Sequence, residues 1–417
     1  MRRSLVAGFS AVLVTVAAWA VPTAASAAPA SAGASCGQTI TSSTRLAHDL
    51  VNCPADGLVI GADNVTIDLN GHTIRGVNAA GSEGVADDGH RGATIRNGTI
   101  AGFFLNGVGL RSAPGSAVTH VTIRRIGAGG GETDASAGVL VKDSPRSSVT
   151  ASTVTNDVVA YQSDGVDVLS SAGTTVSGNR LATNAWDGLV VLASPRTLVV
   201  GNALDGNQNQ GVEVNGGSDG TVLAQNSAAG NVSNGLVVGD VSNALIEGNT
   251  LTGNGDGGLF MFDLHTSRVI GNQAHGSGVG INLDGGQNGS TGNWVAYNDT
   301  SRNLGVGLVV ADGANHNAVV GNVSNANQGP PGQGGGIIIF GATGNTVRGN
   351  MASRNLDVGI GVDENQPGDS AGNTLKANMA NANHAHGIDA VAGTKDGGGN
   401  HAHGNQPLPN CLGVTCT

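Results

Sequence analysis

Two carboxylates are the residues of this chain whose type and spacing point most directly to chemistry. Asp164 lies in the segment SDGVDV (163–168) and Asp187 in WDGLVV (186–191), 23 residues further on. If one structural repeat takes about that many residues, the two acids occupy one position on successive repeats, roughly 4.8 Å apart. Like charges that close split their protonation, one carboxyl keeping its proton while the other ionises, which is what acid-assisted cleavage of a glycosidic bond requires. Asp167 should point outward from the strand that carries Asp164, and Glu213 lies two repeats beyond it. Tyr161 and Trp186 flank the acids and offer ring faces to a sugar. Asp-Gly is also ordinary corner chemistry, and Gln210 and Asn234 fill the same row in later repeats.

The repeat that would position these residues is plain. Asn recurs at Asn179, Asn202, Asn226, Asn249, Asn272, Asn298, Asn322, Asn350, Asn378 and Asn405, at spacings of 23 to 28 residues. A second row, Gly followed by an aliphatic residue, keeps phase with it at Gly165-Val166, Gly188-Leu189, Gly211-Val212, Gly235-Leu236, Gly258-Leu259, Gly280-Ile281, Gly307-Leu308 and Gly336-Ile337. A period of this length with short β-branched runs predicts a solenoid, and the absence of helical spacing makes it an all-β parallel β-helix. About a dozen coils are expected, a rod of roughly 60 Å. The expected organisation is a signal peptide over 1–27, an N-terminal cap over 28–56, one β-helix over 57–405 and a tail over 406–417.

Composition agrees with that architecture. Of 417 residues 70 are Gly, and only 3% are aromatic and 12% charged, a mix unsuited to helical packing. Arg2 and Arg3, the apolar run Leu5 to Ala20 and the small residues Ala25, Ser26 and Ala27 read as a secretory signal, so the protein is expected to be secreted. No segment has the length and apolarity of a stable membrane span. The formal net charge is −11 and the only lysines are Lys142, Lys376 and Lys395, so nucleic acid is excluded as an expected partner. A monomer is expected.

The run DGLVIGADNVTIDLNGHTIRG (56–76) with its downstream Gly-aliphatic coils resembles the right-handed parallel β-helix repeats of exported bacterial proteins, over roughly Cys36 to Asn405. That group includes carbohydrate-binding proteins, sugar hydrolases and NosD-like accessory proteins of nitrous oxide reductase. Within it, SDGVDV is similar to the NTDG motif of polygalacturonases, which carries over to Asp164 and more loosely to Asp187. The chain departs from that family in the next coil, where NQGVEV stands in place of GHG, and no RIK follows. The resemblance implies a β-helix that binds polysaccharide and cleaves it by a hydrolase- or lyase-like reaction. Acid pairs suit hydrolysis better than elimination, because only Arg180 and Arg196 are near enough in sequence to serve as a lyase base. A structural surface protein and a metal-linked accessory factor are the alternatives.

Four further features are legible. The pentapeptide NHAHG occurs twice, placing His384 beside His386 and His401 beside His403, a pattern suited to zinc or copper, but the copies are 17 residues apart, which is not a coil length, and solvated turn histidines are the favoured reading; no metal or other cofactor is assigned. Asp240, Asp263, Asp284, Asp312 and Asp363 follow the Gly-aliphatic strands and read as one carboxylate row. Val190, Leu192, Val237, Phe260, Phe262, Val309, Ile338 and Phe340 fall at outward positions and form an apolar stripe. Four cysteines allow three pairings, and the rod length leaves only Cys36–Cys53 and Cys411–Cys416, since a disulfide joins Cα atoms within about 7 Å.

Overall fold

The computed structural model describes residues 30–127, 136–155, 163–330, 332, 334–364 and 366–417. The expected signal segment, 1–27, lies outside them. Every pairing between strands is parallel and joins one coil to the next, and the described residues contain no helix. None therefore has a helix long and apolar enough to cross a membrane.

A representative turn runs along Val222–Ala224, turns into Ser227–Ala229, turns again into the longer Asn234–Ser242, and returns to the first face at Leu245–Glu247. The strands stack into sheets of 20, 3 and 16, the largest joining the first and second faces through the long strands Thr94–Ala101 and Ala117–Arg124. The 16-stranded sheet receives one strand from each turn, so the coils number about 15, a little above the dozen that the Asn row suggests. The surplus comes from early coils such as Glu83–Asp88 and Asn106–Arg111, which precede the first ladder Asn and carry none of its signal.

Alternation fills the core. On the long face Val166 and Val168 stack on Leu189 and Val191, then on Val212 and Val214, all fully buried. The first face contributes one inward residue per coil, as in Val176, Val199, Leu223 and Ile246. At roughly 1.5–3 kcal/mol for each buried aliphatic side chain, this single column of apolar contacts is the main source of stability.

Corners are held by side-chain amides. Asn202 donates its backbone N–H to Asn226 Oδ1 at 3.0 Å, while its Nδ2 donates to the same oxygen at 3.0 Å and to the Val176 carbonyl at 2.9 Å. The pattern repeats from Asn179 through Asn378 and ends on Asn400. Asn405, expected in this row, stands instead in a second ladder through Asn184, Asn207, Asn231, Asn303, Asn327, Asn355 and Asn383. A shortened final coil makes Asn400 the true partner of Asn378, 22 residues on.

The second ladder also explains the Gly row. A Cβ on Gly188 would lie 2.5 Å from the Gly211 carbonyl oxygen and 2.8 Å from Asn207 Nδ2, distances no side chain tolerates. Disulfides tie both ends as expected, Cys36 to Cys53 with Cα atoms 5.3 Å apart and Cys411 to Cys416 with 6.2 Å.

Asn249 has 0% exposure and takes part in the same three bonds as Asn202. Asn249→Leu should lower stability by about 1–3 kcal/mol, because it strands the backbone N–H of Asn226 and the carbonyl of Leu223 without partners. Chemical denaturation checks this; an unchanged midpoint would mean that the ladder carries no stabilising free energy.

Candidate active site

The entrance to the long face is a single row of positions, one per coil. From the start of the helix it reads Asp56, Glu83, Asn106, Ala137, Asp164, Asp187, Gln210 and Asn234. The side-chain oxygens of Asp56, Asn106, Asp164, Asp187 and Gln210 accept backbone N–H groups from the next coil. Asp187 N donates to Asp164 Oδ1 at 2.8 Å, Gln210 N to Asp187 Oδ1 at 2.6 Å, and Asn234 N to Gln210 Oε1 at 2.8 Å. The two acids are thus in register one coil apart, and an amide makes the same bond in the coil that follows.

What separates the acids from the amides is electrostatic. Asp164 is 5% exposed and Asp187 1%. Burial pushes the Asp187 carboxyl up to about 8, with the charges of Asp164 and Glu213 acting in the same direction. Burial also raises Asp164, to about 6, against the opposing hydrogen bonds from Asp187 N–H and the Asp167 carboxyl. Asp167 shares that hydrogen bond, and burial followed by the Asp164 charge pushes it well above the usual carboxylate range.

Asp167 occupies an outward position, between Leu140 of the preceding coil and Val190 of the following one. It is nevertheless only 1% exposed, and its Oδ1 has no hydrogen-bond partner. Glu213 follows Val190 on the same outward row, two coils from Asp167 and half-buried. The structure therefore brings Asp164, Asp167, Asp187 and Glu213 into one cluster. Trp186 is at the same corner, 37% exposed, its carbonyl accepting the Asn209 N–H. Tyr161 lies outside the described residues.

Earlier in the row a different solution appears, one that sequence reading missed. The buried carboxylate of Glu83 accepts two bonds from the Arg111 guanidinium and one from Asn106 Nδ2 at 2.5 Å. Asp88 stands 3.6 Å from Arg111, and these groups line a cavity of about 290 Å³. Arg111 lies five residues beyond Asn106, so a basic residue at that offset from a row position is the signal that would have found it.

Other expectations resolve differently. The two NHAHG copies fall out of phase, because Asn383 belongs to the second ladder and Asn400 to the first. His386 Nδ1 contacts the Pro409 carbonyl at 2.7 Å, and His401 Nδ1 contacts the Thr417 hydroxyl at 2.7 Å. No group of three or more His, Cys, Asp or Glu side chains is placed to hold a metal among the described residues. The five-Asp row is in fact two positions. Asp240 and Asp263 lie within strands and Asp312 in a turn, all three with positive φ, whereas Asp284 and Asp363 close outward strand positions. The apolar stripe does run along the outer surface of the long face, with Val237, Phe260, Asn282, Val309 and Ile338 in one row.

The model of the family described as "Right handed beta helix region" matches residues 56–228, 134–259 and 210–334. No curated protein sequence matches. Among solved structures, the Dettilon tailspike protein gp208 aligns with a TM-score of 0.59 at 19% identity, over 71% of this chain and 62% of its own. The chain thus spans less than two thirds of the tailspike's length. The Azotobacter vinelandii mannuronan C-5 epimerase AlgE6 A-module aligns with a TM-score of 0.47 at 15% identity, over 88% of this chain and 91% of its own. For the periplasmic alginate epimerase AlgG the corresponding values are 0.43, 12%, 84% and 78%. With overlapping family matches across most of its coils and a three-faced parallel stack throughout, this chain belongs to the right-handed β-helix family.

Proposed function

We propose that this β-helix binds polysaccharide at the entrance of its long face and hydrolyses it with Asp164 and Asp187. One observation carries the reading. The row needs only an acceptor, which Asn106 and Gln210 supply without charge, yet two successive coils place buried carboxyls there. Such carboxyls are costly to bury and shift their pKa, and groups shifted in this way concentrate at reactive sites.

Roles follow from protonation. Near neutral pH Asp187, at about 8, keeps its proton and is the general acid, donating to the glycosidic oxygen as the leaving sugar departs. Asp164, at about 6, is ionised and attacks the anomeric carbon, forming a glycosyl ester. Water, deprotonated by the now ionised Asp187, then hydrolyses that ester and returns the proton to Asp187. Stacking one coil apart, roughly 4.8 Å, matches the short separation of retaining enzymes and leaves no room for a water between the two carboxyls in the first step. Asp167, protonated, donates to Asp164 and orients it. Glu213 supplies an acceptor for sugar hydroxyls and Trp186 a ring face.

The profile of kcat/KM against pH should be bell-shaped, rising through about 6 and falling through about 8. Asp164→Asn and Asp187→Asn should each lose at least about a hundredfold in activity with the fold intact, because the amide still accepts the next coil's N–H. A polysaccharide panel with reducing-end detection checks both. Failure to cleave any member, or equal cleavage by wild type and variants, would sink the hydrolytic reading in favour of a structural role.

The same cluster predicts an inverse dependence of stability on pH. A carboxyl whose folded pKa is raised contributes stability that is fully present below its unfolded value near 4 and is lost as pH rises through the folded value. Between pH 5 and pH 9 the wild type should lose stability relative to Asp187→Asn by up to several kcal/mol, at about 1.4 kcal/mol per unit of raised pKa. Parallel denaturation curves for the two proteins across that range would contradict the burial of an ionisable group at this corner.

A further inference from the structure

Among the described residues, Trp and Tyr occur only at Trp186, Trp294 and Tyr297. Two of these three stand together on the outer surface of the first face, far along the rod from the acid cluster. Their ring centroids are 6.1 Å apart and nearly perpendicular, at 81°. The Arg268 guanidinium lies over the Trp294 ring, 5.0 Å from its centroid. Tyr297 is 58% exposed, and a Cβ on Gly321 of the next coil would meet its ring at 2.7 Å, so the ring lies across a position without a side chain.

Register places a basic row beside this platform. Ala296 stacks on Val320, Val320 on Arg348 and Arg348 on Lys376, while Lys395 follows Thr374 on the neighbouring row. Arg268, Arg348, Lys376 and Lys395 are all exposed, and none forms an ion pair among the described residues. From Arg268 to Lys376 no carboxylate occupies an outward position of these strands; Glu247 closes the coil before. A protein of net charge −11 with only three lysines has thus put two of them, with two arginines, on one strip. Arg268 to Lys376 spans four coil steps, roughly 19 Å.

We propose that this strip is a second binding site, separate from the acid cluster, that takes an extended acidic polysaccharide lying along the rod axis. The exposed Tyr297 ring, set edge-on against the half-buried Trp294, suits the apolar face of a sugar ring, and the cations meet carboxylates repeated along the polymer. Arginine over Trp294 fixes that ring and keeps its outer edge charged toward the ligand. A neutral glycan would leave the basic row without partners. A nucleic acid would meet the repulsion of an acidic molecule with few phosphate-neutralising groups.

The test uses the full-length protein and polygalacturonate as probe, with dextran and single-stranded DNA as comparison arms, and reads affinity by calorimetry or retardation in probe-loaded gels. Wild type and Asp187→Asn should bind polygalacturonate alike, which separates this site from the catalytic reading, and should not bind dextran. Trp294→Ala should weaken binding about tenfold, the scale of one lost aromatic contact. The double variant Arg348→Ser with Lys376→Ser should weaken it further and flatten its salt dependence, with an unchanged denaturation midpoint showing that the coils are intact. Absence of binding, affinity unaltered in both strip variants, loss of binding in Asp187→Asn alone, or tighter binding of DNA than of polygalacturonate would each overturn the proposal.

Discussion

Register between successive coils is the constraint on which everything else rests. A parallel stack slipped by one residue would turn every inward valine to solvent and every outward residue into the core. Strand hydrogen bonds alone do not forbid that slip, because backbone groups repeat at each residue. The corner amides do. Asn226 Oδ1 can take both the N–H and the Nδ2 of Asn202 only when those two residues lie directly over one another, and the same holds at each rung. Glycine beside the second ladder is the complementary device, since the Asn207 amide fills the space that a Cβ on Gly188 would need.

Once register is fixed, chemistry at a corner becomes a matter of which acceptor stands on a rung. Glu83 and the Asp164–Asp187 pair occupy the same row but live in opposite electrostatic surroundings. Glu83 is neutralised by Arg111, whose guanidinium is itself held charged by that contact. Around Asp187 the acting charges are those of other carboxyls, and burial is left to keep the proton on. One row thus contains a compensated acid, suited to fixing structure, and an uncompensated pair, suited to moving protons. Breaking the first would leave a buried charge, whereas converting the second to amides relieves strain.

Much of this was legible in the sequence, for identifiable reasons. The Asn and Gly rows repeat because their partners are copies of themselves, so a period of one coil reveals the fold, the inward valines and the stacking of Asp164 on Asp187. The cysteine pairing followed from rod length alone. Position Asn405 was misread because the last coil is shorter than its predecessors, and counting by the preceding period overshot Asn400 by five residues. The outward phase of Asp167 was correct, but its burial was not visible, since alternation gives the direction of a side chain and not what covers it. Arg111 beside Glu83 shows in sequence only once the row is known, as a basic residue five positions beyond Asn106, and the strip from Arg268 to Lys376 depends on cross-coil neighbours that differ in type.

The account turns on whether the Asp164–Asp187 corner retains a proton at neutral pH. Carbon-13 NMR of side-chain carboxyls in the Asp-labelled protein, titrated from pH 4 to pH 10, measures this directly. A carboxyl resonance titrating near pH 8, present in wild type and missing in Asp187→Asn, is the expected result. Titration of every aspartate below about pH 5 would show that the corner is fully ionised at neutral pH, and would leave these two acids as ordinary rungs of the ladder.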